Sequence, residues 1–376
     1  MPAINPPPGL SLYRGRRVLV TGCTGFKGSW LSLWLKQLGA EVSGLALDVP
    51  TEPALFEVAD LRSQIDYHPA DVRDLAAVTA VIRQVRPQMV FHLAAQAIVR
   101  DGYADPVGTF ATNVMGTAHV LEALRGLDAP CVAICITSDK CYRNVEWVYG
   151  YRETDALGGK DPYSASKAGA EMVIASWQES FLKAADCPLR VASARAGNVI
   201  GGGDWASARI VPDAVRAWSR GEPVQIRSPR ATRPWQHVLE PLSGYLELGV
   251  RLHDDPALRG EAFNFGPSAE QNHTVEELLY ALAPQLGYAD PTRAVNVVPA
   301  PGFAEAGLLK LSCDKALAQL GWRAVLDFDR TARLTGSWYA DHYQRAGADM
   351  RARTLAQIAE YTALAQRQGL RWAQAA

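Results

Sequence analysis

The sequence has few features that would direct the protein to a membrane or to nucleic acid. Its longest apolar runs fall well short of the roughly 18 residues that a membrane span requires. Its 38 Lys and Arg residues balance 39 Asp and Glu residues, so it lacks the excess positive charge of proteins that bind nucleic acid or anionic lipid. We therefore expect no nucleic-acid partner and no membrane partner. A phosphorylated ligand is not excluded, because a few well-placed arginines suffice to bind one.

Cysteine is also scarce: the chain has six, and no two of them form a C-x-x-C pair. This spacing predicts no metal site and no redox pair. Isolated cysteines in a chain of 376 residues without an export signal are typical of a reducing compartment, which predicts a cytoplasmic protein. The Pro-rich start, MPAINPPPGLSLYRGRR, has no apolar core of the kind found in signal peptides. We predict that residues 1–14 form a loose arm.

The first half of the chain alternates between strand-like and helix-like segments. The strand-like segments show no internal alternation of polar and apolar residues, as in a parallel sheet that is covered by helices on both faces. This pattern predicts an α/β fold, a Rossmann-like doubly wound parallel sheet with a smaller C-terminal substrate-binding lobe. Strands are predicted at 17–21, 42–47, 89–93, 131–137 and 189–194, and helices at 26–38, 75–85, 116–124 and 162–185.

A glycine-rich loop, TGCTGFKG at residues 21–28, lies between the first predicted strand and the first predicted helix. Glycines there allow the backbone to turn tightly and to approach a pyrophosphate at the helix N-terminus. Asp48 follows Gly28 by twenty residues, at the end of the second strand, where a carboxylate binds the ribose hydroxyls of adenosine. Because no arginine lies near Asp48, the pattern favours NAD over NADP. The predicted loop contacts are Gly22, Thr24, Gly25, Phe26, Lys27 and Gly28.

Two further segments are candidates for contact with the dinucleotide. Asp71 and Val72 follow a third strand-like segment and bracket the adenine in one interpretation; in the other, Asp71 caps the helix that begins at residue 75. The fourth strand ends in mostly small side chains, which would let a dinucleotide lie close to the backbone. These residues are Leu93, Ala94, Ala95 and Gln96.

The domain organisation follows from these segments. We predict an NAD-binding domain at 15–196, to which residues 232–266 return. Beyond residue 196 the strand and helix pattern loosens and Gly and Pro clusters appear, so residues 197–231 and 267–330 are predicted to form the substrate-binding lobe. Residues 331–376 are predicted to form a helical tail that packs on the outside.

Tyr163 and Lys167 form a candidate catalytic pair. They are four residues apart at the start of a predicted helix and therefore share one face. The positive charge of the lysine is expected to lower the phenol pKa, and a phenolate is the base that takes an alcohol proton while hydride leaves the same carbon. Lys167 is also placed to hold the nicotinamide ribose. Ser138, after the fifth strand, is predicted to bond the reacting hydroxyl.

With these residues the chain resembles the extended short-chain dehydrogenase/reductase superfamily and, more narrowly, the CDP-glucose 4,6-dehydratase family, from about residue 15 to residue 322. The most specific segments are TGFKGSWL at 24–31, SDKCY at 138–142, GYRETDALGGKDPYSASKA at 150–168, RAGNVIGGGDWA at 195–206 and RPWQHVLEPLSGYL at 233–246. The sequence departs from the family at Cys23, where a histidine is expected, and slightly around 207–209. Neither departure involves the residues of the expected chemistry.

The resemblance implies an NAD-dependent hydro-lyase that converts CDP-D-glucose to CDP-4-dehydro-6-deoxy-D-glucose. In that reaction C4 is oxidised with Tyr163 as base, water is eliminated across C5 and C6, and hydride returns to C6. The resemblance assigns the elimination to Asp139 and Lys140, with Asp139 as general acid. Lys140 is either the C5 base, which requires a lowered pKa, or a group that only stabilises the enolate, and the sequence leaves both open.

An activated sugar also carries a diphosphate, which planar arginines bind in a bidentate manner. Arg233 is the main candidate and Arg209 the second, while Asn198 is placed to donate to a phosphate oxygen. The superfamily commonly pairs two subunits through the helices at 116–124 and 162–185, which implies a homodimer or homotetramer.

Two other functions compete with the dehydratase. One is a 4-epimerase, or a dehydratase for a dTDP-, GDP- or UDP-linked sugar; Asp139 and Lys140 argue against the epimerase because epimerisation needs no eliminating pair. The other is a non-catalytic NAD-binding protein, against which the presence of Ser138, Tyr163 and Lys167 argues.

Overall fold

The computed structural model describes residues 8–299 and 308–374. Parts of the predicted N-terminal arm (1–7), substrate-binding lobe (300–307) and tail (375–376) therefore lie outside the described residues. Its strands are β1 (Arg17–Thr21), β2 (Glu41–Ala46), β3 (Asp66–Pro69), β4 (Met89–His92), β5 (Cys131–Ile136), β6 (Leu189–Arg195), β7 (Val199–Ile200), β8 (Val224–Ile226), β9 (Thr232–Arg233), β10 (Gln236–His237), β11 (Ala262–Asn264), β12 (His273–Thr274) and β13 (Val295–Val297).

Seven of these strands form one parallel sheet in the order β11–β6–β5–β4–β1–β2–β3. The chain order reverses between β1 and β4, so this sheet has the switch point at which doubly wound folds bind their ligands. Successive side chains of β5 enter the two opposite cores: Val132 and Ile134 on one face, Ala133 and Cys135 on the other. The predicted α/β fold with a doubly wound parallel sheet is confirmed.

Helices cover both faces of the sheet. The α-helices are α1 (Phe26–Gln37), α2 (Leu55–Val58), α3 (Leu75–Val85), α4 (Val99–Ala104), α5 (Pro106–Phe110), α6 (Gly116–Arg125), α7 (Pro162–Phe181), α8 (Ile210–Trp218), α9 (Leu239–Asp254), α10 (Val275–Leu282), α11 (Phe328–Gln344) and α12 (Met350–Arg367). α3, α6 and α7 pack on one face of the sheet, and α1 and α9 pack on the other. In the part of the chain that the structure describes, no helix combines the length and the apolar character needed to cross a membrane.

The smaller lobe contains α8 and α10 with two short strand pairs, β8 with β13 and β9 with β12. The tail helices α11 and α12 do not pack on the outside, as the sequence pattern suggested. Trp338, Tyr339 and Tyr361 are fully buried, and the Tyr361 hydroxyl donates to the buried Glu240 carboxylate of α9 at 2.7 Å. These helices are rich in polar residues, but they also carry an aromatic stripe, and this stripe completes the main core.

The N-terminal segment also differs from the prediction of a loose arm. Residues Pro8–Tyr13 form a 3-10 helix in which Leu10 and Tyr13 are fully buried. The Tyr13 hydroxyl donates to the Leu246 carbonyl at 2.7 Å. The prolines of this segment suggested disorder, but the apolar residues that follow them bury enough surface against α9 to fix residues 8–14.

Candidate active site

The carboxyl ends of four neighbouring strands carry the site. The register pairs Thr21 of β1 with His92 of β4, and His92 with Cys135 of β5. Cys135 in turn pairs with Ser193 of β6. Because parallel strands in this register end at the same edge, the segments after each strand meet there. These segments are the glycine-rich loop after β1, Leu93–Gln96 after β4, Thr137–Lys140 after β5 and Ala196–Asn198 after β6.

The glycine-rich loop packs so closely against its neighbours that two of its positions leave no room for a side chain. Gly22 has φ +70°, and a Cβ there would lie 2.8 Å from the backbone nitrogen of Ala94. A Cβ on Gly28 would lie 2.1 Å from the Gly22 carbonyl oxygen. Gly25 begins α1 with no side-chain cap, so the amide groups of the first turn of α1 remain for a ligand. The Thr24 hydroxyl donates to the Asp48 carbonyl at 2.6 Å and fixes the loop against the end of β2.

The carboxylates predicted to face the adenosine differ in their surroundings. Asp48 is exposed just beyond β2. Asp71 accepts hydrogen bonds from the Arg73 side chain at 2.6 to 3.0 Å, and these bonds hold the pKa of Asp71 below its usual value. The N-cap of α3 is Asp74, whose carboxylate accepts from two backbone amides. The alternative in which Asp71 caps that helix is therefore wrong, and the buried Val72 lies beside it.

The residues after β4 are tethered to the helices beside them. The Ala94 amide donates to the Thr21 hydroxyl at 3.1 Å, and the Gln96 amide donates to the Asn113 side chain at 2.9 Å. Asn113 in turn donates to Ser166 of α7 at 2.8 Å. Leu93 to Gln96 remain half-buried. This segment is thus fixed between the glycine-rich loop and the helix that carries the predicted catalytic pair.

Tyr163 and Lys167 lie at the start of α7, as predicted. Asp161 caps this helix by accepting from the Ser164 amide at 2.9 Å, and proline occupies the first turn. Both side chains of the pair are buried. Burial lowers the pKa of Lys167 to about 8.

The predicted lowering of the Tyr163 pKa by Lys167 is wrong for this structure. Burial raises the pKa of Tyr163 to about 12, because removing the phenol from water disfavours the phenolate. A hydrogen bond with Ser138 and the charge of Arg209 act in the opposite direction, while Asp139 raises the pKa further. Ser138, Asp139 and Arg209 are therefore the side chains that most strongly influence the pKa of Tyr163.

Asp139 and Lys140 lie in a 3-10 turn (Asp139–Cys141) that Ser138 caps. The Ser138 hydroxyl donates to the Asp139 carboxylate at 2.9 Å and accepts from the Lys140 amide at 3.2 Å. Asp139 is only 3% exposed, whereas Lys140 is half-buried. A Cβ on Gly197 would lie 1.9 Å from an Asp139 carboxylate oxygen, so the absence of a side chain at residue 197 makes room for this carboxylate.

The sequence predicted Lys27 only as a contact of the cofactor, but the structure also brings it close to the proposed catalytic groups. Its ammonium lies 6.0 Å from the ring centroid of Tyr245. Burial lowers the pKa of Lys27 to about 7, and the like charges of Arg209 and Lys167 lower it further, while Asp139 acts against them. Lys27 thus faces the catalytic cluster as well as belonging to the glycine-rich loop. A lysine in the first turn of a helix whose middle is rich in Trp and Leu was the signal that could have found it.

The predicted substrate-side residues lie beyond this cluster. Arg209 pairs with Asp204 at 2.9 Å, and its charge reaches Tyr163. Arg233 is half-buried on β9 and donates to the Thr232 carbonyl at 2.8 Å. Asn198 has φ +53°, and its carbonyl accepts from the Gln236 amide at 3.2 Å.

A small pocket opens beside Asp139. Its floor and walls come from the segment after β6, from the residues around β10 and from the segment after β11. Its lining residues are Asp139, Gly197, Pro234, Gln236, Gly266, Pro267, Ser268, Ala269, Gln271, Lys310 and Leu311. Pro234 follows Arg233 directly, so the main candidate for diphosphate binding lies next to this wall.

Comparison with known proteins agrees with this geometry. The family model described as GDP-mannose 4,6 dehydratase matches residues 19–335. A CDP-glucose 4,6-dehydratase of Salmonella typhimurium is 44% identical over 354 residues, which cover 93% of this chain and 97% of that protein. A dTDP-glucose 4,6-dehydratase of Xanthomonas campestris is 26% identical over 339 residues, covering 85% and 92%. The solved UDP-glucose 4-epimerase of Thermus thermophilus, a complex with NAD, has a TM-score of 0.70 at 29% identity and covers 88% of this chain and 99% of its own.

The family match includes the glycine-rich loop, the turn that carries Asp139 and Lys140, and the start of α7. The resemblance to the CDP-glucose 4,6-dehydratases that the sequence motifs indicated is confirmed by the similarity along nearly the whole chain. This chain belongs to the GDP-mannose 4,6 dehydratase family of proteins.

Proposed function

We propose that this chain is an NAD-dependent hydro-lyase that dehydrates CDP-D-glucose to CDP-4-dehydro-6-deoxy-D-glucose. The observation that carries the proposal is its 44% identity, over nearly the whole length of both chains, to a CDP-glucose 4,6-dehydratase. The geometry supports the same chemistry, because an alcohol-activating group (Tyr163) and an acidic group (Asp139) act on one another beside the strand ends. Cytidine recognition rests on the similarity alone.

The residues present fit an NAD molecule. Because Gly22 and Gly28 have no side chains, the loop packs tightly against Ala94 and against itself at the start of α1, and the uncapped N-terminus of this helix favours the negative charge of a pyrophosphate. Asp48 is exposed where an adenosine ribose would need a carboxylate, and Asp71, which Arg73 holds, is assigned to the adenine side. The chemistry that NAD supplies when bound is reversible transfer of hydride.

Tyr163, Ser138 and Lys167 are assigned to the oxidation at C4. Ser138 bonds the C4 hydroxyl, and Tyr163 takes its proton as hydride leaves the carbon. The raised pKa of Tyr163 disfavours this step until substrate and dinucleotide alter the surroundings of the phenol. Lys167 holds the nicotinamide ribose, while Ser138 and Arg209 are the groups that favour the phenolate of Tyr163.

Asp139 and Lys140 are assigned to the elimination. The C4 ketone acidifies the proton on C5, and removal of that proton expels the C6 hydroxyl, which takes a proton from Asp139 and leaves as water. Lys140 is the C5 base or stabilises the enolate, and both roles agree with its half-buried position next to Asp139. This pair is also the reason to prefer a dehydratase to the epimerase, since epimerisation requires no leaving group at C6.

Arg233, Arg209 and Asn198 are assigned to the diphosphate of the substrate. Arg209 is the best supported of the three, because its charge acts on Tyr163 and because Asp204 fixes its guanidinium by an ion pair. Arg233 lies beside the pocket wall at Pro234. Fixed guanidinium groups bind a diphosphate with little loss of side-chain entropy.

We also propose that the enzyme is a cytoplasmic homodimer. The cytoplasmic location is supported by six cysteines that all carry free thiols. The dimer is supported by an apolar surface on the helices at α5 to α7, whose exposed members are Val107, Phe110, Met115, Met172 and Phe181. Two copies of this surface would bury one another, as in closed two-fold dimers. A homotetramer would need a second interface.

The purified protein should convert CDP-glucose in the presence of NAD to a product that has lost one water, as followed by mass spectrometry and by NMR of the C6 methyl group. dTDP-glucose, UDP-glucose and GDP-mannose serve as matched substrates and should react at least about tenfold more slowly, since one lost contact costs about that factor. Formation of a C4 epimer would select the epimerase instead. Binding of NAD without turnover of any nucleotide sugar would select the non-catalytic protein.

Tyr163→Phe should lower the rate of C4 oxidation by about 10²- to 10⁴-fold, the usual contribution of a positioned base. Isothermal titration should find NAD binding within about twofold of the wild type, because the phenyl ring keeps its packing. Tyr149→Phe, at a tyrosine that is 70% exposed, is the control and should retain full activity. Equal rates for the two variants would show that Tyr163 is not the base.

Asp139→Asn should slow the elimination by about 10²-fold or more while oxidation continues, because an amide cannot donate the proton that the leaving hydroxyl requires. Rapid-quench mass spectrometry should then detect a 4-keto sugar that still carries its C6 hydroxyl. Asp128→Asn removes a carboxylate that is 82% exposed and should leave product formation unchanged. Full turnover by the Asp139 variant would contradict the assignment of the general acid.

Met172→Glu should convert the dimer to a monomer in sedimentation velocity measurements, because each copy would bring a carboxylate to the apolar surface. Met172 is 65% exposed, so the variant should fold. Leu317→Glu, at a 52% exposed residue away from α5 to α7, is the matched control and should remain dimeric. A wild-type protein that sediments as a monomer would rule out the dimer.

A further inference from the structure

A buried ion pair lies directly beneath the catalytic segments. Glu171 of α7 and Arg195 of β6 are joined by a 2.7 Å contact, and their side chains are only 4% and 5% exposed. Desolvating two charges is costly, and a buried pair often contributes less to stability than apolar residues of the same volume. The pair therefore calls for an explanation other than stability.

The Glu171 carboxylate joins three elements of the site. One oxygen accepts from the Thr137 hydroxyl at the end of β5. The other accepts from the Ser193 hydroxyl at 2.9 Å and from Arg195 at 2.7 Å, both on β6. Arg195 also donates to the Tyr142 hydroxyl at 2.8 Å. The carboxylate thus binds Thr137, within the segment after β5, and Arg195, directly before the segment after β6, while Ser193 lies two residues earlier on β6.

The neighbours of these groups are the groups assigned to catalysis. Glu171 lies one helical turn after Lys167, on the same face of α7. Thr137 directly precedes Ser138 and Asp139. We propose that Glu171 is a positioning residue, whose carboxylate holds the end of β5 against α7 and provides the negative charge that faces Lys167. The inference rests on the proposed function for its assay.

The charges around Lys167 support this role. Burial lowers the pKa of Lys167 to about 8, and Glu171 is the strongest influence in the opposite direction. The other groups that face Lys167 are Cys141 in the turn and Cys135 on β5, with His92 on β4 and Lys27 on α1. Burial raises the pKa of Glu171, but the charge of Arg195 and the hydrogen bonds from Arg195, Thr137 and Ser193 together hold that pKa below the usual value, so the carboxylate is ionised at neutral pH.

The sign of the expected effect follows. The ammonium of Lys167 is the form assigned to catalysis, and it is lost as the pH rises through its pKa. Removing the negative charge of Glu171 lowers the pKa of Lys167, because that charge is the strongest influence that stabilises the ammonium form. The alkaline limb of the activity profile should then move to lower pH.

The test compares pH profiles of kcat for dehydration. Glu171→Gln leaves the charge of Arg195 buried without its partner, which is destabilising. A second variant is therefore needed in which no buried charge is left unpaired. The double variant Glu171→Gln, Arg195→Met removes both charges and restores an uncharged interior. Because Arg195 is not among the groups that act on Lys167, the alkaline limb should move down by about one pH unit in both variants.

Glu247→Gln is the matched control. It removes another buried carboxylate, 1% exposed, from α9, where Arg251 and Arg371 rather than Lys167 face it. Its alkaline limb should match the wild type. A double variant that melts at the wild-type temperature and keeps the wild-type limb would overturn the proposal, because Glu171 would then have no effect on the titration of Lys167.

If neither Glu171 variant folds, Thr137→Val tests the hydrogen bond by itself. This variant keeps the volume of the side chain and the charge of Glu171, so kcat should fall at least about fivefold, the effect of one lost hydrogen bond, with the alkaline limb in place. Unchanged kcat would overturn the positioning role. A wild-type enzyme that does not dehydrate CDP-glucose would contradict the proposed function instead. Differences among the variants test only the role of Glu171.

Discussion

Parallel pairing of β1, β4, β5 and β6 brings four strand ends to the same edge of one sheet, and each group of the candidate site is held from that edge. The sheet carries no catalytic side chain within a strand. It fixes the positions at which the glycine-rich loop, the turn after β5 and the start of α7 leave the core. The sheet therefore brings together segments that are far apart in the sequence, from residue 22 to residue 167.

Burial determines the charge state of the groups gathered there. The same desolvation raises the pKa of Tyr163 and lowers those of Lys27 and Lys167, so the site resists charge of either sign until a ligand compensates it. Three cationic side chains, Lys27, Lys167 and Arg209, are close enough to influence one another. The carboxylates that act on them are Asp139, Glu171 and Asp204. Two diphosphates, one from a dinucleotide and one from a sugar nucleotide, are ligands whose negative charge would further stabilise these cations.

The sequence allowed the sheet and the catalytic pair to be predicted because each leaves a local pattern. β5 is apolar at every position and β4 at every position but its last, and Tyr163 and Lys167 are separated by one helical turn. Other features depend on contacts between distant residues. The direction of the Lys27 side chain, the burial of Tyr13 against Leu246 and the aromatic stripe of α11 and α12 have no local signature. The raised pKa of Tyr163 was missed for the same reason, since a spacing of four residues gives the distance to Lys167 but not the loss of solvent.

The fold by itself does not distinguish a dehydratase from an epimerase, because a UDP-glucose 4-epimerase superposes on this chain with a TM-score of 0.70. Both reactions begin by removing hydrogen from C4, the step to which we assign Ser138, Tyr163 and Lys167. What a dehydratase needs in addition is a proton donor that reaches the C6 oxygen. We assign that role to Asp139, which follows Ser138 in the chain, accepts its hydrogen bond and packs against Gly197, where no side chain intervenes. In this proposal the turn after β5 adds an elimination to an oxidation that both enzymes share.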